Sequence, residues 1–289
     1  MQLLGYVALL ILAYPLSILP LRILYVIADV TFCLVFYVFR YRWQVVMDNL
    51  RRSFPDKSDA EIRVIAKRFY RYLCTLTFEG FKTLTISKRR LVRRAELEVP
   101  KWLDAYRERG QNVVIVTAHY GNWEWGSFAL ALMTRFKAAG VFLPHRNPYV
   151  TRGMVTSRQR FGGSMIIAKD VRRFLAEEHE RPLLTAFVVD QSPGNPMKSH
   201  WVDFMGRQTA FSMGPAKLAV RLGYPVVFGW AEPMKRGSYR IELEVLEDNP
   251  TSKRPEEITQ AFAARLEKLI RRRPEFWLWS HRRWKHSKD

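Results

Sequence analysis

Cysteine is almost absent: the 289-residue chain has two, Cys33 and Cys74, both in apolar or helical context. Two isolated thiols exclude a disulfide framework and a thiolate metal cage, and they fit a reducing compartment. The six histidines form no HExxH or paired-ligand pattern, so no bound metal is expected. No GxxxxGK[ST] loop occurs and no GxGxxG follows a strand, so no nucleotide or other cofactor is expected. A GxSxG elbow is missing, and neither thiol sits in a polar strand–turn setting, which leaves no convincing covalent nucleophile. Acid is the scarcer charge: 27 Asp and Glu stand against 47 Lys and Arg, for a net charge of +20. Such a surface seeks an anionic partner, whether nucleic acid, anionic lipid or an acidic protein. Repeats and low-complexity tracts are also missing, and 48% hydrophobic residues with 13% aromatics exclude a disordered chain.

What the chain does have, first, is apolar length. Leu3 to Leu21 is nineteen residues without a charge, close to a bilayer's thickness as a helix, although Pro15 and Pro20 interrupt it. A second run, Ile23 to Phe39, carries only Asp29 and stops at Arg40, Arg42, Arg51 and Arg52. Basic residues after the apolar run, with no basic start and no small-residue cleavage site, predict an uncleaved anchor with its basic side toward the cytoplasm. Two readings of that anchor stay open, a span and an interfacial segment, beside a third in which the helices are buried core. Residues 1–45 are thus assigned to the anchor and 46–289 to a catalytic domain.

Downstream, Asp56–Glu61 starts a helix that runs to Lys82 with Ile62, Ile65, Phe69, Leu73 and Leu76 on one stripe. Lys88–Arg94 is a basic cluster, and Glu98–Arg109 a helix stopped by Gly110. Strands are then expected at Val113–Val116, Ala138–Leu143, Ser164–Ala168, Leu183–Val189, Pro225–Trp230 and Tyr239–Leu246. Helices are expected at Asn122–Lys137, Tyr149–Phe161, Val171–Glu178, Ser212–Leu222 and Pro255–Arg272. Alternation of this kind predicts an α/β fold: a mixed, mainly parallel sheet covered by helices on both faces.

The chemistry concentrates in Asn112–Trp125, NVVIVTAHYGNWEW. A β-branched strand ends at Thr117-Ala118, His119 follows, and a helix containing Glu124 starts just beyond. Open α/β sheets carry their chemistry at such carboxyl strand ends. Five residues apart, His119 and Glu124 cannot share a helix face. They meet only if the histidine sits in the turn and the glutamate in the first helical turn. There Glu124 would orient one imidazole nitrogen and leave the other free as a base. The alternative is a surface histidine and a helix-start glutamate favoured by the helix dipole. With no enzyme nucleophile, a base of this kind fits direct transfer, in which a substrate hydroxyl is deprotonated and attacks an acyl carbon.

Several ordered elements make the chain resemble the late (lauroyl or myristoyl) lipid A acyltransferases within the lysophospholipid acyltransferase-like proteins. They are Asn49-Leu50 with Phe54-Pro55 after the apolar segment, His119-Tyr-Gly-Asn-Trp-Glu124 as H-x4-[DE], and Arg146-Asn147-Pro148. Arg160-Phe161-Gly162, Asp190-Gln191, Phe204-Met205-Gly206-Arg207 and Trp277-Leu-Trp-Ser-His281-Arg-Arg-Trp284 complete the set. The resemblance implies an acyltransferase fold and transfer from an acyl carrier protein thioester to a hydroxyl of a phosphorylated glycolipid, a lipid A precursor of the Kdo-lipid IVA type. It places the enzyme on the cytoplasmic side of the bacterial inner membrane. It also implies that His119 is the general base and Glu124 its partner, with Arg160, Arg146 and Asn147 on the substrate and Asp190 and Arg207 close by. Relatives often show Arg-Pro ahead of the Asn where this chain has Pro144-His145-Arg146, so the role of Arg146 is the least constrained. Other glycolipids or lysophospholipids are alternative acceptors, and a non-catalytic basic lipid-binding protein is the alternative class. Nucleic acid is not expected as a partner: no helix-turn-helix, zinc-finger or RRM signature appears, and nucleic-acid binding would not explain the apolar N-terminus. The Pro274–Asp289 tail mixes aromatics with bases, which suits both an interfacial segment and a structural end packed on the core.

Overall fold

The computed structural model describes residues 2–286; Met1 and Ser287–Asp289, the last residues of the basic-aromatic tail, lie outside the described residues. In chain order the elements are α1 (Gln2–Ile18), α2 (Leu21–Cys33) with a π-helical turn (Leu34–Val38), α3 (Trp43–Ser53), α4 (Asp59–Lys82), α5 (Lys88–Val92), β1 (Ala95–Leu97), α6 (Lys101–Glu108), β2 (Val113–Thr117), α7 (Trp123–Met133) and β3 (Lys137–Phe142). The second half continues with α8 (Pro148–Gln159), β4 (Ser164–Ile167), α9 (Val171–Ala176), β5 (Leu183–Val188), β6 (Ser199–Phe204), β7 (Arg207–Ser212), α10 (Gly214–Leu222), β8 (Val226–Lys235), β9 (Ser238–Glu247) and α11 (Pro255–Arg272).

Seven strands form one sheet in the order β1-β9-β8-β2-β5-β3-β4, parallel throughout except for the β8–β9 pair. The expected mixed, mainly parallel sheet under helices is therefore what the chain forms. The central strand β2 shows why its apolar run is unbroken. Val114 and Val116 face a core built with α2, α3, α4, α10 and α11, while Val113 and Ile115 face one built with α5, α6 and α7. A strand buried on both sides has no polar alternation to display.

Two elements gave no sequence signal. β1 is three residues long, and β6–β7 is a separate antiparallel hairpin whose two-residue turn, Met205-Gly206, has both φ angles positive (56° and 72°). That turn matches the right-handed strand twist, and Phe204-Met-Gly-Arg207 is its sequence. By contrast α4 begins where expected, because Ser58 and Glu61 close a capping box: Ser58 N–H donates to Glu61 Oε2 at 2.9 Å.

The N-terminal run does not make one helix. Proline at 20 has no amide to continue α1, so the chain breaks at Leu19-Pro20 and restarts as α2. Among the described residues, the apolar stretch long enough to cross a membrane is Leu21–Val38. Its inner side is core: Leu24, Ala28 and Phe32 are buried against α4. Asp29, the one acidic residue in the stretch, bonds Arg71 of α4 at 3.1 Å and Arg236 of the β8–β9 turn at 2.8 Å. Its outer side is apolar and open, with Val26, Val30, Val38 and Phe39 all exposed.

Candidate active site

β2 and β5 are parallel neighbours in register, Thr117 opposite Val188, and Val189 N–H donates to Thr117 O at 3.0 Å. Two residues past the end of each strand, His119 and Asp190 therefore emerge side by side. Asp190 Oδ1 is 2.7 Å from His119 Nδ1, and Oδ2 accepts the His119 backbone N–H at 3.0 Å and the Trp277 indole N–H at 2.8 Å. Burial alone would raise the Asp190 carboxyl. The adjacent imidazole and the hydrogen bonds from His119 and Trp277 outweigh it and hold the group below the usual carboxylate range. An ionised carboxylate only accepts, so Nδ1 carries a proton, and in the neutral ring Nε2 is left with the lone pair. That lone pair faces the Gln191 side-chain amide at 3.2 Å.

The sequence pairs the imidazole with Glu124; in the structure the carboxylate on its ring is that of Asp190. Glu124 sits in the first turn of α7 and bonds Arg158 Nε of α8 at 3.2 Å. The carboxylate on the histidine comes from a strand rather than from the helix that follows, because parallel pairing brings β5 to β2.

The turn itself is fixed from below. Gly121 has φ +61°, and a Cβ there would stand 1.8 Å from the Ala231 carbonyl oxygen, so only glycine fits. Its N–H donates to Phe276 O, and Tyr120 bridges to Trp277. Asn122 caps α7 by accepting the Trp125 N–H at 3.0 Å and also donates to Glu79, a fully buried carboxylate held by Tyr239 and Tyr25 as well. Thus most of the HYGNWE motif is scaffold for one imidazole.

The remaining expected site residues separate. Arg146 is exposed in the loop before α8 and pairs with no acidic group among the described residues. Asn147 caps α8 on Tyr149 N–H and reaches the Gln2 carbonyl of α1. Arg160 is a clamp: its guanidinium donates to the carbonyls of Thr83, Leu84 and Ile86, just past the end of α4. Carbonyls beyond a helix end have no partner within the helix, and satisfying them engages three of the five donors of Arg160. Arg207 lies over the Trp284 ring at 4.3 Å, and Trp284 in turn packs on Trp277, so it supports the Asp190 corner at one remove.

Residues that the resemblance left unassigned complete the corner. Trp277 and Trp279 are 2% and 0% exposed, so this part of the tail is a structural wall and does not face a membrane. Asn49 ties it down by donating to the carbonyls of Trp279 and His281. His281 Nε2 accepts the Ser192 N–H at 3.2 Å, and burial lowers its pKa to about 4. An unfolded histidine titrates near 6.5, so from about pH 6.5 down to 4 the unfolded chain binds a proton that the folded one refuses. Stability should therefore fall on acidification through that window. A thermal-melt series from pH 7 to 5 should show it, with a flatter slope for His281→Gln; equal slopes would refute the assignment.

His119 opens onto an apolar crevice of Phe69, Leu73 and Leu76 of α4, Trp123 and Leu278. Leu73 and Leu278 also line a groove of about 690 Å³ that passes Gln191 and His281 and runs out between α4 and the α2–π-turn segment at Val35 and Phe39. The volume is that of a small-ligand or lipid-chain site.

The profile of a family described as bacterial lipid A biosynthesis acyltransferase matches residues 2–286. A Haemophilus influenzae protein (strain ATCC 51907 / DSM 11121 / KW20 / Rd) named "Lipid A biosynthesis acyltransferase" is 24% identical over 233 residues. That match spans 80% of this chain and 72% of the relative.

Proposed function

We propose a specific reaction for this chain, which belongs to the bacterial lipid A biosynthesis acyltransferase family. It moves a fatty acyl group from an acyl carrier protein thioester to a hydroxyl of a phosphorylated lipid A precursor of the Kdo-lipid IVA type. The observation that carries this reading is the His119–Asp190 pair, with Nδ1 on the carboxylate and the ring beside an apolar crevice that adjoins the groove. The acceptor hydroxyl displaces the Gln191 amide and donates to Nε2. Its oxygen attacks the thioester carbon as the proton passes to His119, with Asp190 stabilising the imidazolium. The C–O bond forms, the C–S bond breaks, and the departing thiolate takes the proton back from His119. Freed from Nε2, the Gln191 amide is a donor for the developing oxyanion. The net charge of +20 suits both an acidic carrier protein and a phosphorylated head group.

The decisive assay offers purified protein acyl carrier proteins loaded with different chain lengths. The acceptors are a phosphorylated glucosamine-disaccharide lipid, another glycolipid and a lysophospholipid. Label on the disaccharide supports the reading. Label only on another acceptor would keep the chemistry and replace the substrate, and no transfer from any donor would overturn the function.

The enzyme works at the cytoplasmic face of the inner membrane, and α2 lies in the membrane interface rather than crossing it. Insertion would strip Asp29 from Arg71 and Arg236 and tear Leu24, Ala28 and Phe32 from the core, whereas the exposed outer face needs only to settle into lipid. Replacing Val26 and Val30 together by Glu should lower vesicle partitioning at least about tenfold while leaving the melting temperature within a few degrees. Unchanged partitioning would refute this placement.

A further inference from the structure

On the other side of the His119 crevice from the apolar groove lies a second cavity, of about 460 Å³. The two are separated by a ring pair, Tyr72 against Phe276 at 4.7 Å, and both rings line both the cavity and the crevice. Five cations from three parts of the fold converge on it: Arg68 and Arg71 of α4, Lys235 and Arg236 at the β8–β9 turn, and Arg273 after α11. Three are braced from outside the cavity. Asp29 holds Arg71 and Arg236, and Glu232 holds Arg273. Arg68 and Lys235 form no ion pair among the described residues. Even with Asp29, Glu232 and the lining carboxylate Glu275 set against them, the cations are in the majority.

We infer that this cavity is an anion subsite that holds a phosphomonoester of the acceptor while its hydroxyl is delivered to His119. The inference rests on the acyl-transfer reading and deepens it. A dianion answers the charge excess better than the single charge of a phosphodiester, and braced arginines hold their charge and remaining N–H groups in place without having to be ordered first. The same protein surface then sorts an amphiphile into its parts. Hydrocarbon lies in the groove by α2, the reacting atoms lie at His119, and phosphate lies beyond Tyr72 and Phe276.

Arg68→Ala and Lys235→Ala test this, because neither breaks an ion pair that holds the fold. Each should raise KM for the phosphorylated disaccharide lipid about tenfold or more, the usual effect of losing one charge-assisted hydrogen bond, with kcat changed less than about threefold. On the same lipid after phosphatase treatment the variants should match wild type, and KM for the acylated carrier protein should not move. Arg89→Ala, in the exposed basic helix α5, controls for bulk charge and should leave every constant unchanged. A rise in KM for the carrier protein instead would give the cavity to the donor's phosphodiester and overturn the assignment. So would an equal loss on both forms of the lipid, or the same loss in Arg89→Ala. Equilibrium binding of the two lipid forms, measured without donor, keeps the subsite testable if the wild type transfers nothing. A preference for the phosphorylated form that both variants lose would uphold the subsite while the reaction failed, and no preference would reject it.

Discussion

His119→Ala should abolish acyl transfer, with a loss of about 10³–10⁴-fold, toward the upper end of what a positioned general base contributes. The loss should be this large because the structure offers His119 no substitute. His281, the other histidine at this corner, has its Nε2 engaged by the Ser192 N–H and cannot swing into the vacancy without breaking that bond. The variant should fold. Among the described residues His119 takes part in no hydrogen bond between elements except through Asp190 and Gln191, and its backbone N–H, which survives the substitution, still donates to Asp190. Melting temperature and vesicle binding should therefore stay near wild type while label on the acceptor disappears. Full activity would remove His119 from the reaction, and loss of folding would show that the Asp190 corner depends on the ring for stability.

How much of this was legible beforehand differs from residue to residue. The strand that delivers His119 could be read from four β-branched residues and the turn behind them, because a doubly buried strand advertises itself by composition. The partner could not. Asp190 lies 71 residues away in sequence, and only the parallel register of β2 with β5 shows that two strand ends become one site. Glu124 was the natural choice from sequence because it is near, and the helix start that makes glutamate favourable there accounts for its presence equally well. Arg160 was placed on the substrate by the resemblance alone, and nothing in its sequence neighbours reveals that it packs on the carbonyls just past the end of α4. The cation cavity left no linear trace at all, since its five members come from positions 68 to 273. Sequence patterns report what one element does with its own faces; a site assembled from the ends of several elements is visible only after they pack.

Asp190→Asn should cost about 10²–10⁴-fold in turnover, and the loss should exceed that of Glu124→Gln. The size of the loss depends on which nitrogen of His119 bears the proton. Asp190 accepts from three donors, namely imidazole Nδ1–H, the His119 backbone N–H and the Trp277 indole. An asparagine can keep its carbonyl oxygen on the two donors at the Oδ2 position, which places its amide NH₂ against Nδ1. A donor facing Nδ1 forces the imidazole proton onto Nε2, where the lone pair for the substrate hydroxyl is needed. Turning the amide over instead sets its NH₂ against two N–H groups in a fully buried corner, at a cost of about 1–3 kcal/mol for each polar group left unsatisfied. The first outcome removes the base without unfolding; the second keeps a carbonyl acceptor on Nδ1 but takes the negative charge from beside the imidazolium and lowers the melting temperature. Glu124→Gln has neither consequence for the imidazole: it trades the Arg158 ion pair, partly exposed on both sides, for a neutral hydrogen bond. Measuring both variants beside wild type on the same donor and acceptor decides between the carboxylates. A larger loss for Glu124→Gln would return the orienting role to the H-x4-E pair and leave Asp190 as the anchor of Trp277.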